Sequence, residues 1–356
     1  MSQKSIDLFI DAIRKGGAER VCVNYANYLV DNGYKIRIVI FKEYEDSYID
    51  LVDKRVEIIT LGCHDASSMI KKVKAINFIF SDTVIVFNHQ MSIALWFYRQ
   101  FGCKQKFKLI SRNVNYLSRD LYTSKNSIKK WVTILLTKII YRRIDCFIAQ
   151  CNDMKNDMVN YLSVPESKIT VIYNPVSTSV YKKENVEKDI DILFVGRISK
   201  QKGLPYLVSV IDSIINKEQA KVCIVGKGVL EEQLDKELSV IENKYNIKIL
   251  RVRSTNDVNS YYNRAKVTIL TSLYEGYPNV LAESLTAGTP VVSFDCQSGP
   301  EEIIRDGING YLVPCFNTEI FVDKLELILN GKTLSDVRDF NSENSFNLLE
   351  ELINKE

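Results

Sequence analysis

IDILFVGRISKQKGLPYLVSVIDSIINKEQAKVCIVGKG, residues Ile190–Gly228, reads as strand, loop, helix, strand and glycine turn. Ile190–Gly196 and Lys221–Val225 are short, nearly unbroken apolar runs, and between them Leu204–Asn216 repeats its apolar positions at helical spacing. Such strands joined by amphipathic helices indicate a parallel sheet covered on both faces. In open sheets of this kind ligands sit beyond the carboxyl ends of the strands. The loop GRISKQKG occupies that place, with Arg197 and Lys202 between the strand end and a helix start near Gly203. Two cations beside the N–H groups of a helix start suit a diphosphate. Taken alone the loop is modest evidence, because Arg and Lys after a strand are usually solvated.

The alternation continues in both directions. Toward the C-terminus run helix Val229–Lys244, strand Ile247–Val252, helix Val258–Ala265, strand Val267–Thr271, helix Val280–Ala287, strand Pro290–Ser293, helical turn Glu301–Arg305, strand Gly310–Val313 and helix Thr318–Asn330. Toward the N-terminus, Ser5–Ile10, Lys35–Phe41, Val56–Leu61, Thr83–Phe87, Lys108–Ser111, Cys146–Ala149 and Thr170–Ile172 read as strands. Between them lie helical patterns such as Ala18–Asp31, Ala66–Phe78 and Met91–Phe101. Asn174-Pro175 interrupts the pattern, and the polar stretch Tyr181–Lys188 is the candidate linker. Two successive doubly wound α/β domains are expected, over residues 1–175 and 176–345.

Composition agrees with two globular domains: 356 residues, 46% hydrophobic and 26% charged. No apolar run reaches the ~18 residues a membrane-spanning helix requires. The N-terminus MSQKSIDLFI passes directly into a strand-like run, without the pattern of a secretory signal, and a cytosolic protein is expected. The eight cysteines include no CxxC pair, so neither a disulfide framework nor a zinc site is expected. With only His64 and His89, a histidine-rich metal site or a hydrolase triad has little material.

Charge divides the halves. Residues 1–180 hold 26 basic against 17 acidic residues, net +9, and residues 181–356 hold 21 against 27, net −6. Arg99–Arg143 contains twelve basic residues and one acid, Asp120, interleaved with aromatic residues. Such a segment can bind nucleic acid, anionic lipid headgroups or phosphorylated substrates. Within it Ile128, Trp131, Val132, Leu135, Leu136, Ile139 and Ile140 recur at helical spacing, flanked by Lys129, Lys130, Lys138, Arg142 and Arg143. An interfacial helix and a core-facing helix with a basic rim both fit that pattern.

The second informative stretch is LTSLYEGYPNVLAESLTAGTPVV, Leu270–Val292. Glu275 follows a strand and Glu283 lies eight positions on; full helix between them would separate the two by ~12 Å. That gap is wider than the ~5–9.5 Å of a glycosidase pair, and better suited to gripping two parts of one elongated ligand. Glu275 is expected at a helix start, favoured there by the dipole, with Gly276 and Pro278 shaping a tight turn that bares backbone N–H groups; Gly276, Tyr277, Pro278 and Asn279 count with Glu275 among the donor-binding candidates. In the first half, Gly16-Gly17 stands before the helix opened by Ala18-Glu19, so backbone there can approach a phosphate. Taken alone, a plain glycine turn with Glu19 in the first helical turn is the better account of that pair. IVGKG is a weak dinucleotide fingerprint, no GxxxxGK[ST] exists, and Asp189-Ile190-Asp191 reads as a polar strand start rather than a metal-binding DxD.

Together these motifs resemble glycosyltransferase family 4: GGAER at Gly16–Arg20, ITVIYNPV at Ile169–Val176, FVGRISKQKG at Phe194–Gly203, IVGKG at Ile224–Gly228, the Glu275–Glu283 element, and SGPEEIIRDGINGYLV ending at Val313. The resemblance implies a GT-B fold, two Rossmann-like domains facing across a cleft, with a final helix, 346–356, packing back on the acceptor-binding N-terminal domain. It implies a retaining transferase using a nucleotide sugar, most often UDP-linked, with no obligatory metal. Arg197 and Lys202 then match the pair that neutralises the donor diphosphate, Glu275 the acid holding the sugar hydroxyls, Glu283 the ribose ligand, and Gly17 the turn that meets the phosphate. Many relatives carry a histidine after the strand at Lys108–Ser111, where this chain has Arg112 and Asn113; with His89 these are the acceptor-side candidates. Arg251 and Arg253 stand where relatives commonly have a glycine near the nucleotide base. The expected partners are the donor, a lipid-linked or lipopolysaccharide acceptor, and the inner face of the cytoplasmic membrane through residues 99–143, with no nucleic acid. A bacterial O-antigen, capsule or exopolysaccharide pathway is the expected setting. The alternatives are a nucleotide-sugar 2-epimerase of the same fold and a non-catalytic sugar- or nucleic-acid-binding module.

Overall fold

The computed structural model describes residues 3–113, 118, 128–334, 340 and 342–355. The chain divides into two compact units, Met1–Pro175 with Ser342–Glu356, and Val176–Asn341.

The first unit is built on seven strands: β1 (Ser5–Phe9), β2 (Lys35–Ile40), β3 (Glu57–Thr60), β4 (Thr83–Val86), β5 (Lys108–Arg112), β6 (Cys146–Ala149) and β7 (Ile169–Val171). They lie in the order β3-β2-β1-β4-β5-β6-β7, every neighbouring pair parallel. Parallel neighbours need crossovers, and helices fill that role on both faces. The helix Gly17–Asp31 is typical, burying Val21, Cys22, Tyr25, Ala26 and Leu29 along one stripe. It ends as Gly33 takes φ +84° and donates its N–H to Val30 O at 3.2 Å, a conformation that glycine adopts without a Cβ penalty.

The helix Ser342–Asn354 belongs to this unit as well, its Leu349, Leu352 and Ile353 joining the core around Leu8, Tyr25 and Ile38. Phe346 stacks on Tyr28 with ring centroids 4.1 Å apart, and Lys108 Nζ donates to Leu352 O at 2.7 Å. Asp7, at the middle of β1, is fully buried and fully engaged. It accepts from Arg37 Nε at 2.7 Å and Nη2 at 2.9 Å, from Ser81 N at 2.9 Å and from Ser81 Oγ at 2.8 Å. Removing one partner of a buried pair strands the other, so Asp7→Ala is expected to cost about 3–5 kcal/mol in urea denaturation. Asp7→Ala with Arg37→Met should recover part of that loss.

The second unit repeats the plan with β8 (Ile190–Val195), β9 (Val222–Val225), β10 (Leu250–Val252), β11 (Ala265–Leu270), β12 (Val291–Phe294) and β13 (Gly310–Val313), ordered β10-β9-β8-β11-β12-β13 and all parallel. Its core runs from Ile192 and Phe194 through Leu207, Ile211 and Ile214 to Phe321 and Leu325.

The structure corrects three expectations of detail. Tyr181–Lys188 is no loose linker: Tyr181 N donates to Asn259 Oδ1 at 3.1 Å, Lys183 N to Asn263 Oδ1 at 2.6 Å, and Lys188 Nζ to Ala265 O at 2.8 Å. The helix expected over Ala66–Phe78 stops at Ala75, because Asn77 turns to φ +47°. The strand expected over Ile247–Val252 pairs only from Leu250.

Candidate functional site

β8 and β11 are neighbours, with Ile269 opposite Phe194, so the loops that follow them leave from one edge of the sheet. After β8 the chain passes Arg197, which is exposed, and makes a single tight turn over Lys200–Lys202. Gly203 then takes φ +64° and opens the helix Leu204–Glu218, which has no side-chain cap. A Cβ on Gly203 would stand 2.1 Å from Thr271 O. Only glycine therefore lets the two loops meet, and Gly203→Ala is expected to lose about 1–3 kcal/mol of stability by urea denaturation.

That close approach is stitched by three hydrogen bonds. Leu273 N donates to Gln201 O at 2.8 Å, Gln201 Nε2 to Tyr274 O at 3.0 Å, and Thr271 Oγ1 to Lys202 O at 2.9 Å. The stem of Lys202 crosses Gly196, where a Cβ would lie 3.3 Å from Lys202 Cε. Its ammonium reaches Glu275 Oε1 at 2.6 Å, and Ser272 Oγ donates to the same oxygen at 2.5 Å. With side-chain exposures of 13% for Lys202 and 8% for Glu275, the pair is largely withdrawn from water, which strengthens its charges' effect on any ligand.

Glu275 is not at a helix start. The helix runs Asn279–Thr286 with Pro278 as its cap residue, so Lys202 and Ser272, rather than a first helical turn, hold this carboxylate. Its N–H is not bared either, since it donates to Gln297 O at 3.2 Å, and Ser298 Oγ donates to Gly276 O at 2.9 Å. Gly276, Tyr277 and Pro278 are buried, and Asn279 and Glu283 half-buried. Glu283 Oε2 accepts from Tyr262 OH at 2.8 Å. Ser272, Tyr262 and Gln201 escaped the sequence reading. Ser272-x-x-Glu275 carries the spacing of a capping box, a signal that could have exposed the first of them.

Two departures noted in the sequence are structural. Arg251 Nη1 donates to Gly226 O at 2.7 Å and Nε to Asp235 Oδ1 at 3.2 Å, while Arg253 pairs with Glu231 at 2.5 Å and Asp235 at 2.9 Å. The two arginines brace the end of β10 against the helix Glu231–Tyr245. Asp189 and Asp191 pair with Arg264 at 2.6 Å and Lys266 at 2.7 Å. Among the described residues no group of three or more His, Cys, Asp or Glu could hold a metal ion.

In the first unit, Gly16 precedes the helix Gly17–Asp31 without a side-chain cap, Gly17 is exposed, and His89 is half-buried at the start of the helix His89–Phe101. Arg112 and Asn113, at the carboxyl end of β5, are 0% and 1% exposed. Arg112 Nη2 donates to Asn174 Oδ1 at 2.5 Å, Asn174 Nδ2 to Gln150 Oε1 at 2.9 Å, Gln150 Nε2 to Asn113 O at 2.5 Å, and Tyr141 OH to Asn113 Oδ1 at 3.2 Å. Burial pulls the Arg112 guanidinium below its ordinary range, and the neighbouring Tyr25 opposes that shift. These two residues thus form an internal polar brace across the ends of β5, β6 and β7, rather than an open acceptor surface.

Residues 15–180 match the family model for Glycosyltransferase Family 4, and residues 178–344 that for Glycosyl transferases group 1. The chain belongs to glycosyltransferase family 4. It is therefore a transferase enzyme, and its paired parallel sheets are the GT-B fold. Over 351 residues it is 24% identical to the N-acetylgalactosamine-N,N'-diacetylbacillosaminyl-diphospho-undecaprenol 4-alpha-N-acetylgalactosaminyltransferase of Campylobacter jejuni, covering 93% of this chain and 92% of that one. A second enzyme of that organism, the GalNAc-alpha-(1->4)-GalNAc-alpha-(1->3)-diNAcBac-PP-undecaprenol alpha-1,4-N-acetyl-D-galactosaminyltransferase, is 27% identical over 342 residues, covering 92% and 89%. Among solved structures, Anabaena HepE in complex with UDP superposes with a TM-score of 0.73 at 14% identity, covering 98% of this chain and 94% of that one.

Proposed function

We propose that the chain moves a hexose or N-acetylhexosamine, with retention, from a UDP-sugar to a lipid-linked oligosaccharide or lipopolysaccharide acceptor in bacterial surface polysaccharide synthesis. The observation that carries this reading is the Lys202–Glu275 pair at the shared carboxyl edge of β8 and β11. Without a ligand the two charges neutralise each other. A bound donor separates their tasks: its diphosphate takes Lys202, with Arg197 nearby in sequence, and its sugar hydroxyls donate to Glu275. Glu283, held by Tyr262, is the second carboxylate of the same stretch and takes the ribose hydroxyls.

As the bond from the anomeric carbon to the phosphate oxygen breaks, its electron pair stays on the diphosphate. The acceptor hydroxyl oxygen bonds to that carbon on the same face, and its proton passes to the departing phosphate. Preorganised cations aimed at the developing charge are the main source of acceleration in such a scheme. The UDP in the Anabaena structure and the diphospho-undecaprenol in the Campylobacter names support the donor and acceptor classes. No obligatory metal and no nucleic acid enter this reading. Acting on a lipid-linked acceptor places the enzyme at the inner face of the cytoplasmic membrane, approached through the basic segment 99–143.

The deciding experiment incubates the purified protein with a panel of UDP-sugars and measures UDP release, with and without EDTA. Release from at least one donor, unchanged by EDTA, is expected. A protein that neither binds nor turns over any nucleotide sugar removes the donor assignment.

A further inference from the structure

β12 and β13 lie side by side and parallel, with Phe294 opposite Val313. The ladder continues one step further, where Asp295 N donates to Val313 O at 2.7 Å. Cys296 and Cys315 each stand two positions beyond that last pair, so a continued pleat returns both side chains to the face of Phe294 and Val313. That face is the core of the second unit: Cys296 is buried in it, and Cys315, half-buried, packs against it. Neighbouring strands run about 4.8 Å apart, within the Cα separation of about 4.4–6.8 Å that a disulfide spans. The Cys315 thiol is turned toward its neighbour: Sγ donates to Asp295 O at 3.1 Å, and that oxygen belongs to the peptide unit joining Asp295 to Cys296. Both cysteines stand as thiols in the structure.

Cys296 leads into a segment that walls the Lys202–Glu275 pair. Gln297 O accepts from Glu275 N at 3.2 Å, and Ser298 Oγ donates to Gly276 O at 2.9 Å. Ser298 takes φ +74° and Gly299 φ +98°, and a Cβ on Gly299 would stand 2.6 Å from Pro278 Cδ. Cys315 leads into Phe316, at φ +68°, whose ring stacks on Tyr206 with centroids 5.0 Å apart. Tyr206 N in turn donates to Gly203 O at 2.9 Å, on the turn behind Lys202. Non-glycine residues at positive φ persist only where their surroundings over-determine them. Neither segment can therefore move without disturbing what it holds. We propose that Cys296 and Cys315 form a reversible disulfide, and that closing it shuts the Lys202–Glu275 site by drawing Gln297 and Ser298 away from Glu275 and Gly276. The regulation rests on the donor reading given above, since it acts on the same site.

The oxidant is a small-molecule disulfide of the glutathione class. Cys315, the more exposed of the two, loses its proton and attacks one sulfur of that disulfide; a mixed disulfide forms, and one small thiol leaves with the proton. Cys296 then gives up its own proton and attacks the Cys315 sulfur, and the second small thiol departs with it. Two protein thiols are oxidised to one bridge, and one small disulfide is reduced to two thiols. Burial, and after it the charge of Glu275, push the Cys296 thiol up, so Cys296 answers only once the mixed disulfide lies beside it. Excess thiol reverses both steps, and in a reducing medium the pair stays open.

The test treats the full-length protein with oxidised glutathione, maps its disulfides by peptide mass spectrometry, and measures UDP-sugar turnover before and after dithiothreitol. A Cys296–Cys315 peptide is expected, with turnover lowered by at least about tenfold and restored by dithiothreitol. Cys315→Ser keeps a donor for Asp295 O and should turn over at the wild-type rate with or without oxidant. Cys296→Ala should halt at the first step, with glutathione retained on Cys315. No bridged peptide, glutathione on wild-type Cys315 without a bridge, or bridged protein as active as the reduced form would each overturn the proposal. Cys103 and Cys146 are half-buried as well; oxidant sensitivity that persists in Cys315→Ser would assign the effect to other thiols and count equally against it. Reduced protein that turns over no UDP-sugar removes the donor reading instead, and the bridge is then judged by the peptide map.

Discussion

Lys202→Ala is expected to lower kcat by about 10²–10³-fold, the loss seen when one preorganised donor to a developing anion is removed. Lys202 is the cation that the fold positions most tightly: its stem lies across Gly196, its carbonyl accepts from Thr271 Oγ1, and Gly203 behind it tolerates no Cβ. A side chain so constrained loses little freedom when it meets a diphosphate. Arg197, exposed two residues beyond β8, is held by none of these contacts, and Arg197→Ala should cost less than Lys202→Ala. Lys202→Ala also leaves Glu275 with Ser272 as its polar neighbour in a mostly buried place, so some stability falls with activity. Single-turnover rates at saturating donor separate the two losses. A variant whose single-turnover rate matches wild type would remove Lys202 from the transition state.

Glu275→Gln is expected to act in the opposite sense on binding. The amide keeps the size of the carboxylate but not its charge, so Lys202 no longer spends its ammonium on an internal partner. UDP should then bind as tightly as in wild type or tighter, while sugar transfer falls by about 100-fold because the sugar hydroxyls lose their charged acceptor. Calorimetric titration with UDP, set beside UDP-sugar turnover, checks both halves of this statement. A large loss of UDP affinity would mean that Glu275 contacts the nucleotide rather than the sugar. Together the two variants split the pair into a diphosphate-facing and a sugar-facing member, which neither change alone can do.

Which residue types form the site was readable from the chain, because the alternation of short apolar runs and amphipathic helices put Arg197, Lys202 and Glu275 after strands. Strands such as Cys146–Ala149 and Gly310–Val313 fall where the pattern puts them, since a strand buried on both faces must be apolar throughout. The meeting of Lys202 with Glu275 was not readable. They are 73 positions apart, and they touch only because β11 pairs with β8 across intervening β9 and β10, a matter of sheet order rather than local pattern. The brace of Arg112 on Asn174, 62 positions apart, was hidden for the same reason. The helix Asn152–Asn160 was missed because only Met154, Asp157 and Met158 are buried on it, too few apolar positions to show a period. Glu275 was misplaced on a helix because Pro278, allowed within a first helical turn, here stands just outside it.

The helix Ser342–Asn354 carries a lesson about biosynthesis. Leu349, Leu352 and Ile353 complete the interior of the unit whose strands are encoded before those of the other. Domains ordinarily finish folding in the order they are made, but here the later-encoded unit has its whole sequence before Ser342, while its predecessor waits for residues 342–354 to emerge. A stop codon shortly before Ser342 would thus injure the half of the molecule farthest from it in sequence.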